Sequence, residues 1–305
     1  MKKGDKLKNI LGWTAVIITL IVNCFWSYWG ILEFFHEGWY SSSILYSLFL
    51  LLFQYMLFTI IFIVFPLIAL KYKKIGLACF IALGIFAAYF FSGASFQVTY
   101  LLLSLPLIGL GVLFYFGNPK KIKIARILII LLPLIIITLF GTPQLIKNIQ
   151  RIDDGNYGMR TLDCQGTPLV WAGKGSGFPD TGYNWTDSMY ICEHLSEDGT
   201  TVLNESQNIW RIPGIEEAIR CQMIHNENAG GIWNPDTKKA EYEKTPDKET
   251  PIWVPNSEII YYWTSELSSE TENQAYIIDY AGGIFDKDIR YSPNYRAFRC
   301  VKDAG

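Results

Sequence analysis

Apolar residues dominate the first 146 positions of the chain, and a polar, aromatic and glycine-rich stretch fills the remaining 159. Five apolar runs stand out in the first part, at residues 10–32, 44–70, 75–91, 98–116 and 127–145. A helix needs roughly 20 such residues to cross about 30 Å of hydrocarbon. All five reach or approach that length, so residues 1–146 are expected to form a bundle of five transmembrane helices. None of the five runs contains Asp, Glu, Lys, Arg or His. Pro66, Pro106 and Pro133 fall inside three of them, which membrane helices tolerate because neighbouring groups re-satisfy the freed backbone.

The pattern changes character after residue 146. Trp185, Met189 and Cys192 recur at helical spacing and predict a helix over 185–195, with Asn184 or Thr186 as its cap. Ile215, Ala218, Ile219 and Met223 predict a second over 214–223, with Glu216 and Glu217 in its electropositive first turn. Short alternating runs at 261–265, 275–280 and 297–301 read as strands, with Ala281-Gly282-Gly283 as a turn. Two early helices followed by strands make the C-terminal part α+β. Between them, residues 226–258 form a polar stretch too long for a simple connection, hence functional or disordered. Trp233 and Trp253 within it argue against full disorder.

Charge orients the bundle. Eleven basic residues, Lys2, Lys3, Lys6, Lys8, Lys71, Lys73, Lys74, Lys120, Lys121, Lys123 and Arg126, fall at three junctions that share one side. The other two junctions, 33–43 and 92–97, carry no Lys or Arg. Lys and Arg concentrate on the cytoplasmic side. The N-terminus is therefore expected inside, and an odd number of spans delivers the C-terminal half outside. The first run is too long for a cleaved leader and lacks a small-residue cleavage site. Bundles that pump or couple protons place ionisable groups at membrane depth; this one reads instead as an anchor or a partner-binding element.

The whole chain holds 26 basic and 28 acidic residues. Setting aside the eleven junction residues and Asp5, Glu33 and Glu37 leaves 15 basic against 25 acidic in the C-terminal half, a balance of −10. That disfavours nucleic acid as a partner, while local basic patches remain open. Cys164, Cys192, Cys221 and Cys300 make an even set, read first as disulfides in an exported domain. Zinc is the competing reading, but no close pair of the kind a zinc knuckle uses is present. Cys24 and Cys79 fall in the apolar runs, where thiols are buried and inert. His36, His194 and His225 form no evident cluster.

Five blocks then carry a family resemblance. They are Asp163-Cys164 with Thr167-Pro168-Leu169-Val170-Trp171; Trp185 with Cys192; Trp210-Arg211-Ile212-Pro213 with Glu217; Tyr262-Trp263-Thr264-Ser265; and Arg299-Cys300-Val301-Lys302. In this order they resemble the Lcl C-terminal domain family, a bacterial family similar in fold to C-type lectins and to sulfatase-modifying enzymes. The resemblance covers about residues 160–302 and none of the membrane half. Pro168 and Gly214 depart from the family pattern, and 226–258 is longer and more charged than the family implies. With the apolar runs and their flanking charges it gives an expected organisation of membrane domain 1–146, linker 147–160 and exported lectin-like domain 161–305, in the plasma (inner) membrane of a bacterium. It implies that Cys192 and Cys300 form the long disulfide between first helix and last strand, which leaves Cys164 to Cys221. Trp210, Arg211, Pro213, Glu217 and Trp263 would be structural, with Glu217 a candidate partner for Arg211.

Three classes of function compete. The first is a non-catalytic binding module that recognises a glycan, peptide or envelope protein through the long loop. Its candidate residues are Trp233, Asn234, Trp253, Asn256 and Glu258, since aromatics beside amide and carboxylate groups suit sugars. Trp233-Asn234-Pro235 and Val254-Pro255-Asn256 are partial echoes of calcium-lectin triplets, so calcium is the one cofactor considered, and no other cofactor or metal is expected. The second class, an oxidase of the sulfatase-modifying type, would need two neighbouring cysteines late in the domain, and only Cys300 lies there. The third is a structural or assembly subunit acting through the bundle, with the lipid bilayer and an envelope complex as partners.

Overall fold

The computed structural model describes residues 3–41, 43–91, 98, 100–268 and 273–304. The chain divides into two compact units, Met1–Gly38 with Ile44–Ile146, and Trp39–Ser43 with Lys147–Gly305.

All regular structure described in the first unit is helical. Three helices are long and apolar enough to cross a membrane: Gly4–Gly38, Lys73–Phe90 and Ile122–Ile149. A fourth candidate is broken. Ile44–Tyr55 and Leu57–Lys71 meet at 60°. The break follows a π-helical turn, Leu51–Tyr55, closed by the Met56 N–H on the Leu51 carbonyl, a local widening that re-aims a helix. Tyr100–Phe116 is apolar but shorter. Three or four spans are thus supported by length and composition, where the hydropathy pattern predicts five. The junction 92–97, with Gln97, lies outside the described residues.

Small residues set the packing in this unit. A Cβ on Gly111 would lie 2.7 Å from the Phe80 side chain, and the Phe80 and Phe114 rings stack nearby at 5.9 Å. Thr19, Asn23 and Ser27, four residues apart, are fully buried along one helix. The Ser27 hydroxyl donates to the Asn23 carbonyl (2.7 Å) and meets the Thr59 hydroxyl at 3.2 Å.

The second unit is α+β. Its first strands, β1 (Arg160–Asp163) and β2 (Pro168–Trp171), form a three-stranded antiparallel sheet with the last strand, β11 (Val301–Asp303). Trp171 lies opposite Arg160 on one side and Val301 on the other. The main sheet has the order β10-β7-β8-β9, from β7 (Tyr261–Leu267), β8 (Gln274–Asp279), β9 (Ile284–Asp288) and the short parallel β10 (Arg296–Ala297). Two hairpins complete it: β3 (Met223–Ile224) with β4 (Glu227–Asn228), and β5 (Ile232–Asn234) with β6 (Lys239–Glu241).

Strand alternation divides the core in two. Tyr262 and Ile278 point into a cluster with Trp171, Ile219, Trp253 and Val301. Their neighbours Trp263, Ala275 and Ile277 point into a second with Cys192, Trp210, Phe298 and Cys300. The helix Trp185–Glu193 presents Ser188 and Cys192 to the interior, and the Asn184 carboxamide caps it by accepting the Asp187 N–H at 2.8 Å. The second helix is only Ile215–Arg220, shorter than the pattern suggests. Cys221 is held in a disulfide, and the chain turns at once into β3.

Two disulfides join Cys164 to Cys221 and Cys192 to Cys300, across 57 and 108 residues. Loops of that size correspond to ~4–5 kcal/mol each in the chain-entropy account. The expected strand 297–301 divides at 298–300, where the Cys300 N–H bonds the Gly177 carbonyl and the chain passes from one sheet to the other.

The stretch 226–258 is folded rather than a free loop. After the β5–β6 hairpin, Asp247, Lys248, Glu249 and Thr250 are all at most 2% exposed. Each charge finds a partner. Asp247 takes the Arg151 guanidinium (2.8 and 3.1 Å), Glu249 accepts the His225 N–H (2.7 Å), and Lys248 Nζ donates to the Ser257 carbonyl. Residues expected to be a linker pack here as well: Thr250 Oγ1 accepts the Asp154 N–H at 3.1 Å, and Tyr157 leans on the first core cluster.

Candidate functional site

A groove of about 430 Å³ opens between the helix Ile215–Arg220, the β5–β6 hairpin and the middle of the main sheet. Ile215, Trp233, Pro235, Leu267 and Tyr276 give it an apolar lining, with Glu216, Glu266 and Lys238 as its charged groups. Tyr276 reaches it because strand alternation sends Ile277 to the opposite face. Trp233 meets the Tyr276 ring at 6.3 Å and 67°, an edge-on contact that holds the indole half-buried.

One groove carboxylate, Glu266, is fixed by the start of the helix, and Glu217, outside the lining, holds the helix start itself. Glu266 Oε2 accepts the Ile215 N–H (2.8 Å), one of the unpaired donors at the helix start. Glu217, on the same helix, accepts the Gly214 N–H at 2.8 Å and pairs with both nitrogens of the Arg211 fork at 2.6 and 2.7 Å. Burial raises the Glu217 pKa, but Arg211 and the Gly214 N–H outweigh it and leave the carboxyl below its usual range. Glu216 stands 3.5 Å from Arg220. The fixed Glu266 and the exposed Glu216 beside two aromatic faces can hydrogen-bond hydroxyl, amide or ammonium groups while the rings cover a flat apolar surface.

Of the five residues expected at the ligand surface, Trp233 alone lines this groove. Asn234 closes the hairpin instead, its Oδ1 accepting the N–H groups of Asp236 and Thr237 at 3.1 Å. Trp253 is a correction: at 1% exposure it belongs to the core, stacked on Tyr262 and donating Nε1–H to Gln222 Oε1 at 3.0 Å. Asn256 and Glu258 are exposed but do not line the groove. Tyr276 and Glu266 were missed. Each lies in or beside a predicted strand, where the sequence gives no sign of which face meets the hairpin.

The structural motif residues take core and framework positions. Trp210 and Trp263 are buried, their Nε1–H groups satisfied by the Ser196 and Tyr183 carbonyls at 2.9 and 2.8 Å. Pro213 precedes the helix and accepts the Ser265 N–H at 3.0 Å. His194 stacks on Tyr190 at 3.9 Å, and His225 Nδ1 lies 3.1 Å from Glu249. Among the described residues, no group of three or more His, Cys, Asp or Glu is arranged to hold a metal ion.

Burial sets two unusual titrations of this unit. It pushes the Asp279 carboxyl up to about 6, although the N–H groups of 281–283 oppose the rise. Lys248 is lowered to about 7, first by burial and then by Arg151. Neither group lines the groove.

Comparison with protein-family models, curated proteins and solved structures found no match.

Proposed function

We propose that this chain is a membrane-anchored, non-catalytic binding protein. Its C-terminal unit lies outside the plasma membrane of a bacterium and takes a glycan or a peptide in the Trp233–Tyr276 groove. The groove carries this reading: an aromatic pair beside the fixed Glu266 carboxylate and the exposed Glu216, in a domain whose other tryptophans are committed to core or framework. The two disulfides fit an oxidising compartment. The one-sided lysines favour an N-terminus inside, and the apolar helices supply three or four of the five proposed spans by length and composition.

The fold reading is C-type-lectin-like. Its support is the sheet in which the last strand pairs with the second, the two helices ahead of the main sheet, and the Cys192–Cys300 tie. The blocks from Arg160 to Lys302 that resemble Lcl C-terminal domains point the same way.

A glycan array probed with the full-length protein in lipid nanodiscs, with and without calcium, tests the function, alongside a library of envelope peptides. Trp233→Ala and Tyr276→Ala should abolish the signal. Binding that survives both substitutions would remove the groove from the reading.

A further inference from the structure

Arg296 is the one buried cation of the described second unit whose guanidinium is left poorly satisfied in an open cavity. The side chain is held in place from several sides. Its residue sits on β10 and is 3% exposed, its carbonyl accepts the Tyr183 N–H at 2.9 Å, and its guanidinium lies over the Trp263 ring at 4.9 Å. Arg299, three residues on, is better satisfied: its Nε and Nη1 donate to the Ala172, Pro251 and Ile252 carbonyls and the guanidinium lies over Phe178 at 4.1 Å, with Nη2 left without a partner. Arg296 has no such set. Its Nε has no partner, and Nη1 makes a single long contact, 3.4 Å, to the Tyr291 carbonyl. Among the described residues no carboxylate stands within ion-pair distance of it.

The cavity it faces measures about 550 Å³ and is lined by Tyr261, Tyr291, Tyr295, Lys287 and Asp288 besides Arg296 itself. Asp288 is the one carboxylate in that lining, and Arg290 occupies both of its oxygens at 3.1 and 2.8 Å, which holds its pKa down at about 2. Lys287 is exposed at the rim. The site is therefore a local basic spot in a half-chain of balance −10. A buried, unpaired guanidinium presents a planar fork for an oxyanion, and burial strengthens that interaction.

We propose that this cavity is a second binding site, distinct from the Trp233 groove, for a carboxylate carried on a pyranose ring, as in a hexuronic acid. The guanidinium of Arg296 takes the carboxylate and Lys287 adds attraction at the rim. Tyr261, Tyr291 and Tyr295 supply faces and hydroxyls for the ring. Three aromatic walls favour a sugar over a bare anion, and one buried cation matches a single carboxylate.

The test uses the full-length protein in nanodiscs with its disulfides intact, titrated by calorimetry with glucuronate, glucose and acetate. Glucuronate should bind at least tenfold more tightly than either of the others. Glucose binding as well as glucuronate would overturn the role of Arg296, and acetate binding as well would overturn the role of the ring. No glucuronate binding at millimolar concentration would overturn the site. Arg296→Gln should abolish the preference, with near-ultraviolet circular dichroism as the check on folding. Should that variant unfold, Tyr291→Ala, at a side chain 62% exposed, decides. It should weaken glucuronate at least threefold, and an unchanged affinity would overturn the proposal. Trp233→Ala should leave glucuronate affinity unchanged, so failure here and failure of the groove reading are separable.

Discussion

The indole of Trp253 lies flat on the ring of Tyr262, with centroids 4.0 Å apart and planes 4° from parallel. This contact joins the segment 247–254 to the main sheet and makes that segment part of the domain's core. Trp253→Ala should therefore cost about 3–5 kcal/mol and lower the melting temperature of the second unit sharply. Trp233→Ala, at a half-buried groove residue, should shift it far less. Tryptophan fluorescence during thermal unfolding of both variants measures the contrast. Equal shifts would mean that Trp233 is a core residue and no ligand contact.

The Arg211–Glu217 fork does two jobs, since Glu217 also accepts the Gly214 N–H that starts the helix. Gly214 has no side chain to cap that helix, and Glu217 reaches back in its place. Glu217→Ala should cost about 1–2 kcal/mol, most of it from the lost cap, because Arg211 is itself well exposed and an exposed pair contributes little. The Glu217 pKa is lowered on folding, so its contribution is present above the normal carboxylate range and is lost as pH falls through the folded value. Urea titrations at neutral pH and near pH 3 should show the variant's deficit shrinking in acid. A deficit independent of pH would contradict the pairing.

The second unit was legible where one side chain type dictates one structure. The Trp185, Met189 and Cys192 stripe marks its helix, and Tyr262-Trp263 with Ala275 and Ile277 marks the two faces of the sheet. Failure came where long-range partners override local chemistry. Nothing local to Asp247-Lys248-Glu249 announces Arg151, His225 and the Ser257 carbonyl, so the stretch 226–258 reads only as a functional or disordered loop. The same blindness put Trp253 on the surface. β1 and β2 are four residues each; they pair with one another, and β2 pairs on its other side with β11, more than 100 residues away. In the first unit composition predicts apolar helices well, but the break at Met56 comes from a π-helical turn that hydropathy does not encode.

The one-sided distribution of lysines makes a topological prediction. Reporter fusions after Lys73 and Lys121 should read as cytoplasmic, and a fusion after the last residue as external. Matching signals from all three would reject the five-span arrangement, since an even number of crossings would return the C-terminal unit inside. A span count of four, with Tyr100–Phe116 re-entrant or peripheral, would instead read external at Lys121 and cytoplasmic after the last residue.

Asp279 makes the pH dependence of the second unit testable. Its side chain is 7% exposed, and its Oδ1 accepts the Gly283 N–H at 2.6 Å in the turn after β8. Gly282 at φ +86°, packed against the Tyr242 ring, holds that turn closed. Burial raises the carboxyl from 3.8 to about 6. A carboxyl whose pKa is raised on folding binds its proton more tightly in the native state. Its favourable contribution is therefore full below the unfolded value and is lost as pH rises through the folded one. Between pH 4 and about pH 6.5 the loss should reach roughly 2–3 kcal/mol. Asp279→Asn keeps an acceptor for the Gly283 N–H and has nothing to ionise, so its stability relative to the parent should rise over that interval and then level off. Lys248 acts in the opposite direction at higher pH: lowered to about 7, it adds stability as pH rises from there toward 10, and Lys248→Met should remove that rise alone. Urea unfolding of the three proteins from pH 4 to 9 separates the two effects. A difference between the parent and the Asp279→Asn variant that stays constant from pH 4 to 6.5 would mean that Asp279 is ionised in the folded protein throughout, and that the turn N–H groups outweigh its burial.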